Sequence, residues 1–219
     1  MFVADLASLE KQLRQGAAAM QVELTDTQVN LLLRYAQEFE KWNKAYNLSA
    51  IRDISQILAR HIIDSLSVVN WIKQTHHPLE KIIDVGTGGG LPGIPLAICF
   101  PEKSISLLDS NGKKTRFLFH VKTQLQLANV TVEHRRVEDY VPEPLFDGVI
   151  SRAFASLEDM TSGCKNLITP NGIFMAMKGL YPNDELAAIA HNHRLLESVK
   201  LDVAQTDGER HLLVLQKQR

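Results

Sequence analysis

The sequence predicts an α/β fold: a doubly wound, mostly parallel sheet with an antiparallel last strand, preceded by an N-terminal helical extension. Three observations predict it. Residues 1–78 carry helical periodicity only, and from Glu80 onward short β-branched runs alternate with longer helical ones. At the end, two strand-like runs are separated by a segment containing Thr206-Asp207-Gly208, which reads as a hairpin turn. The boundaries drawn from this are 1–78 for the helical extension and 79–219 for the sheet domain.

Within the extension, Thr25-Asp26-Thr27-Gln28 has the form of a capping box, in which a threonine oxygen and a reciprocal glutamine serve the first free amides of a helix. Leu31, Leu32, Tyr35, Phe39 and Trp42 follow at helical spacing and give that helix an apolar stripe. A third helical run starts near Asp53 and places Ile54, Ile57, Leu58, Ile62 and Val69 along one side, until Pro78 closes the region. Strands are then expected over 82–85, 104–109, 130–134, 147–151 and 172–177. Helices are expected over 93–100, 112–127 and 157–167. The final strand-like runs are 198–204 and 211–217, so the last strand should lie antiparallel.

Composition bounds the answer. At 219 residues and 24.6 kDa, with 45% apolar and 22% charged residues, the chain suits one globular domain with an extension. The longest apolar stretch, 91–100, is short and carries Pro92, Gly93 and Pro95, which argues against a membrane span. No basic n-region opens the sequence, so a cytoplasmic protein is expected. Cys99 and Cys164 are far apart and the histidines are ungrouped, so neither a disulfide framework nor a metal site is expected. A net charge of −1 argues against wholesale coating of nucleic acid and leaves room for local basic patches. The composition gives no reason to exclude a monomer, and a monomer is expected.

The strongest local signal runs from Asp84 to Gly93, through Gly86, Gly88, Gly89 and Gly90, where a strand ends and a helix begins. Glycines there let the backbone turn tightly and let a ligand approach with no Cβ in the way. Read as Gly88-x-Gly90-x-x-Gly93, the loop fits a dinucleotide fingerprint. Read as Asp84-x-Gly86-x-Gly88-x-Gly90, it fits a loop for S-adenosylmethionine, whose amino group and sulfonium are cationic. A carboxylate just before the glycines suits a cation and would repel a pyrophosphate, so Asp84 favours the methyl donor. Asp109, on the order of 20 residues further on at the next strand end, can accept from both ribose hydroxyls of either ligand. After the third strand, Glu138 could accept the adenine amino hydrogen while the backbone at Val137 serves the ring. Arg152, after the fourth strand, sits where an open α/β sheet faces its ligand crevice.

Other segments join these. Trp42-Asn43-Lys44-Ala45-Tyr46-Asn47-Leu48, Arg60-His61-Ile62-Ile63-Asp64-Ser65-Leu66, the loop from Asp84 to Pro95, Leu107-Leu108-Asp109-Ser110, Phe146-Asp147-Gly148-Val149-Ile150-Ser151-Arg152-Ala153 and Lys178-Gly179 follow one another in order. Together they resemble the RsmG family of small-subunit ribosomal RNA methyltransferases, also called glucose-inhibited division protein B. The resemblance runs across about the whole chain. It implies a class I S-adenosylmethionine-dependent methyltransferase fold of Rossmann-like type, and methyl transfer to N7 of one guanine in 16S ribosomal RNA, as naked RNA or within the small subunit. It also carries donor-binding positions onto Gly86, Leu91, Val137, Glu138 and Arg152. Two departures stand out: Ser49 where threonine is common, and Gly89 where a larger residue is often found.

The implied chemistry needs no general base, because N7 of guanine bears a lone pair and no proton. Two absences agree with it: no Asn-Pro-Pro-Tyr segment follows the fourth strand, and Cys164 lacks a preceding proline, so Cys164 reads as a packed helix residue. RNA binding must be local, and Lys113, Lys114 and Arg116 form one basic cluster, Arg135 and Arg136 another. Arg116 and Lys178 are the candidate RNA contacts. His61 and Asp64, three apart, read as a structural link between the helical extension and the sheet domain rather than a catalytic pair. Two other readings stay open here: an NAD(P)-dependent oxidoreductase, and a non-catalytic RNA-binding factor that keeps the fold.

Overall fold

In the computed structural model, residues 3–203 and 208–218 are described. Among them, seven strands form one sheet in the order β3-β2-β1-β4-β5-β7-β6. These are β1 Lys81–Val85, β2 Ser104–Asp109, β3 Val130–His134, β4 Phe146–Ser151, β5 Ile168–Lys178, β6 His193–Lys200 and β7 His211–Lys217. The first five pair in parallel, and β7 lies antiparallel between β5 and β6, as the hairpin pattern predicts.

Alternation along the strands splits the core in two. Ile82, Ile105, Leu107, Ile150, Ile173, Met175, Leu212 and Val214 point to one face and join a cluster with the N-terminal helices. Ile83, Val85, Leu108, Val149, Phe174, Ala176, Leu213 and Leu215 point to the other, against α8 (Leu157–Gly163) and α9 (Asn183–Ile189). The first face is covered by α1 (Val3–Ala19), α2 (Asp26–Tyr46), α6 (Gly93–Cys99) and α7 (Gly112–Gln124). The helical extension therefore shares its hydrophobic core with the sheet.

The capping box at Thr25 is present: Gln28 N donates to Thr25 Oγ1, and Thr25 N donates to Gln28 Oε1. Asn47 ends α2 in the left-handed conformation, with φ 52°. The third helical run is interrupted. It consists of α3 (Ile54–Ile57), a π-helical turn over Leu58–Ile63 and α4 (Asp64–Leu66), and α5 (Val69–Gln74) follows. Ile57, Leu58, Ile62 and Val69 of the expected stripe are buried and Ile54 is half-buried, and a wider turn of this kind is common at functional sites.

Other boundaries move for identifiable reasons. β5 begins at Ile168, before Pro170 and Asn171, because a register irregularity opposite Phe146 and Gly148 absorbs them. The expected strand 198–204 lies earlier, at His193–Lys200, since an edge strand with one exposed face gives a weak apolar pattern. Residues 204–207, which include Thr206 and Asp207 of the expected turn, lie outside the described residues. The helix expected over 157–167 closes at Gly163, and the short helix α9 has no counterpart in the sequence reading.

Candidate active site

The winding of the sheet reverses between β1 and β4, the place where open α/β sheets leave a crevice at the carboxyl ends of their strands. The glycine loop stands there. Gly86, Gly88 and Gly90 have φ of 68°, 61° and 95°, conformations that disfavour a side chain. Its main chain is fastened to β2: Gly86 N and Thr87 N donate to Leu108 O, and Gly88 N donates to Asp109 Oδ2 at 2.9 Å.

Asp84 is wholly buried beneath this loop. Its Oδ2 accepts from Thr87 Oγ1 at 2.6 Å and from Gly93 N at 2.8 Å, while Oδ1 has no hydrogen-bond partner among the described residues. The carboxylate thus clamps the two ends of the loop and does not stand on the crevice wall. Burial pushes its pKa up to about 6, against the opposing effect of those two hydrogen bonds.

A cleft of about 320 Å³ lies beside the loop and gathers Gly86, Asp109, Val137 and Glu138, four of the residues expected at the donor. Val137 and Glu138 reach it on a 3₁₀ turn over Val137–Asp139, after β3. Asp109 is held in place by Asn111 N at 2.8 Å as well as by Gly88 N, and Lys114 Nζ stands 3.8 Å away. Lys114, Arg135 and Arg136 line this cleft too, so both basic clusters contribute to its rim. Leu91 and Gly90 sit behind the loop in the core.

Arg152 faces elsewhere. While Ala153 and Phe154 line the cleft beside the glycine loop, Arg152 lines a second pocket of about 340 Å³ with Arg60, His61, Asp64, Lys178 and Arg210. Asp64, 4% exposed, accepts from Arg152 Nη1 at 2.6 Å and from Arg210 Nε at 2.9 Å. This is the link between extension and sheet that the 61–64 spacing predicts, made by Asp64 alone. His61 instead places Nε2 2.7 Å from Ser49 Oγ and its ring 5.6 Å from Phe39. Burial, then the charge of Arg152, lowers its pKa to about 4. Lys178 Nζ donates to Ala155 O at 3.1 Å and pairs with Glu185 at 2.8 Å, bracing the wall after β4. Arg116 is exposed on α7.

Two features of the site escape the sequence reading. Tyr35, read only as part of an apolar stripe, donates its hydroxyl to Gly89 O at 2.6 Å. Gly89 itself is explained by Phe39, since a Cβ there would meet Phe39 Cε2 at 2.3 Å. A larger cavity, about 640 Å³, opens near the start of β5 among Lys165, Ile168, Phe174 and His193, and holds none of the expected residues.

A sheet wound in this order, a glycine loop at its reversal, an acid closing β2 and an antiparallel β7 define a class I S-adenosylmethionine-dependent methyltransferase. Comparison with solved structures agrees on the fold: a SAM-dependent methyltransferase of Leishmania major superposes with a TM-score of 0.60 over 83% of each chain at 12% identity. Within that class the chain belongs to the GidB family, rRNA small subunit methyltransferase G, which matches residues 28–213. It is 68% identical over 210 residues to the ribosomal RNA small subunit methyltransferase G of Cellvibrio japonicus, covering 96% of both chains. It is 52% identical over 205 residues to the protein of that name from Saccharophagus degradans, covering 94% of this chain and 90% of the other. The expected family, fold, enzyme class and methyl donor are borne out, and the nicotinamide reading falls away. No helix among the described residues is long and apolar enough to cross a membrane.

Proposed function

We propose that this protein transfers the methyl group of S-adenosylmethionine to N7 of one guanine in 16S ribosomal RNA, working as a monomer in the cytoplasm. The observation that carries the reading is the cleft at the sheet reversal, where Gly86, Asp109, Val137 and Glu138 meet although they come from the ends of three separate strands and the turns after them. These residues fit the donor. A Cβ on Gly86 would stand 2.8 Å from Ala153 Cβ, so the loop and the wall after β4 form a cradle that only a bare backbone leaves open. Asp109 offers carboxylate oxygens for the ribose, and Glu138 with the backbone at Val137 offers partners for the adenine. Bound there, the donor supplies an electrophilic methyl carbon, whose transfer carries positive charge from sulfur to the guanine ring.

The chain's own residues have a restricted task, because guanine N7 has no proton to lose. They orient the two reactants in line, an effect that can contribute roughly 7–11 kcal/mol. The site is consistent with a mechanism lacking acid–base catalysis. His61 stays neutral near pH 7, with its pKa at about 4. The Cys164 thiol, unexposed and raised by burial to about 12, is no nucleophile. The cationic second pocket, with Arg60, Arg152 and Arg210 beside the donor cleft, supports entry of the RNA backbone from that side.

The test uses purified protein, tritiated S-adenosylmethionine and small-subunit particles from cells lacking the gene. Borohydride and aniline then cut RNA at 7-methylguanine. Label on 16S RNA with one new cleavage, lost on Gly86→Val replacement, is the expected result. Label without cleavage would overturn N7 as the target atom, and no label on particles at several assembly stages would turn the reading toward a non-catalytic RNA-binding factor.

A further inference from the structure

We infer that Tyr35, on the helical extension, is a positioning residue for the methyl-donor site, acting through the carbonyl of Gly89; this rests on the donor reading of the glycine loop. Most anchors of that loop are local or come from β2. Gly86 N and Thr87 N donate to Leu108 O, Gly88 N donates to Asp109, and Thr87 O accepts from Gly90 N and Leu91 N. The Gly89 carbonyl points the other way, and its partner lies 54 residues earlier in the chain, the Tyr35 hydroxyl at 2.6 Å.

Both the position and the chemistry of Tyr35 favour this role. Its side chain is 0% exposed, so the hydroxyl has no water to turn to, and Gly89 O is the acceptor it finds. Burial raises the phenol well above the ordinary tyrosine value, which keeps it a donor. Its ring stacks on Phe117 with centroids 6.4 Å apart and meets Phe39 edge-on at 6.1 Å. Phe39 in turn fills the space where a Gly89 Cβ would stand. The turn at Gly89 is therefore seated on an aromatic platform, and the tyrosine oxygen fixes the direction of the Gly89–Gly90 peptide.

That direction matters to the donor side. Gly88 and Gly90, flanking Gly89, both hold positive φ, and glycine peptides in such conformations rotate at low steric cost. Gly88 N, with Asn111 N, is also one of the two backbone amides that hold the Asp109 carboxylate, which lines the donor cleft. Removing the Tyr35 oxygen would leave the Gly89–Gly90 peptide held by Gly90 N on Thr87 O and unheld at its carbonyl, loosening Gly88 and Asp109 together, while the ring packing stays. The lost contact is then felt as donor affinity more than as RNA affinity.

The experiment compares the wild-type protein with Tyr35→Phe by calorimetric titration of S-adenosylhomocysteine, without RNA, and by steady-state methylation of small-subunit particles. The expected result is a roughly fivefold to tenfold weaker Kd and a donor KM raised to match, the scale of one hydrogen bond. kcat at saturating donor and KM for the particles should stay within about twofold. A purely structural role would lower the melting temperature and move both KM values and kcat together, and that result would overturn the proposal. So would wild-type affinity in the variant. If the wild-type protein itself fails to bind S-adenosylhomocysteine, the donor reading fails first, and the two failures are thereby told apart. A second variant, Phe117→Leu, disturbs the platform but keeps the hydroxyl. It should bind the donor within about twofold of wild type at equal temperature below melting, and an equal loss in both variants would also overturn the role of the oxygen.

Discussion

Asp84 carries a cost that can be measured. Its carboxylate is completely buried, one oxygen has no partner among the described residues, and burial shifts its pKa from an ordinary 3.8 to about 6. A shift of roughly two units corresponds to about 3 kcal/mol of stability that the ionised form takes away. The direction follows from the protons bound. Well below 3.8 both folded and unfolded states hold the proton and nothing is lost. Between 3.8 and 6 the unfolded chain has released it while the folded chain keeps it, so stability falls as pH rises. Above 6 the loss is complete, and about 2 kcal/mol of it falls between pH 4.5 and 7.5. Asp84→Asn removes the charge and keeps an acceptor oxygen for Thr87 and Gly93. Urea unfolding of both proteins across that pH range should show the variant gaining on wild type by about 2 kcal/mol, whatever its absolute stability. A difference that stays flat with pH would refute the assignment of this burden to Asp84.

Three further outcomes are expected. Gly86→Ala forces a side chain into a positive φ and against Ala153, costing about 1–2 kcal/mol and weakening donor binding by about tenfold or more, as read by chemical denaturation and calorimetry. Asp64→Ala leaves Arg152 and Arg210 facing each other without the carboxylate that bridges them. Discounted for the partial exposure of both guanidiniums, a loss of about 2 kcal/mol is expected in urea unfolding, with Asp64→Asn losing less. Cys164, at 0% exposure and with a thiol raised to about 12, should resist iodoacetamide in the native protein at pH 8, and Cys164→Ala should keep full methylation activity.

Much of this was legible in the sequence because it rests on local chemistry. The Thr25 capping box and the strands and helix around the glycine loop each follow from residues within a few positions of one another. The gathering of Asp109 and Glu138 in one cleft was legible because both stand at strand ends beside the glycine loop. Other features depend on contacts that no local pattern encodes. Asp84 looked like a residue aimed at a cation because its neighbours are glycines, whereas its surroundings in space make it a clamp. Tyr35 looked like one more apolar position because helical spacing registers the ring and ignores the oxygen. Arg152 was assigned to the donor side by its place after β4, and the turn of the chain at 151–154 sends it into the adjoining pocket. The edge strand at His193–Lys200 was misplaced because a strand with one wet face presents too few apolar residues to mark its ends.

Consecutive residues after β4 open onto different pockets: Arg152 looks into the cationic one, and Ala153 and Phe154 into the one beside the glycine loop. The partition between them is a single strand of main chain, anchored by Ser151, whose hydroxyl donates to Val85 O and accepts from Ala153 N. An exchange at Arg152 alters the cationic pocket and one at Ala153 or Phe154 the cleft beside the glycine loop, whereas loss of the Ser151 hydroxyl would shift the main chain they share and reach both.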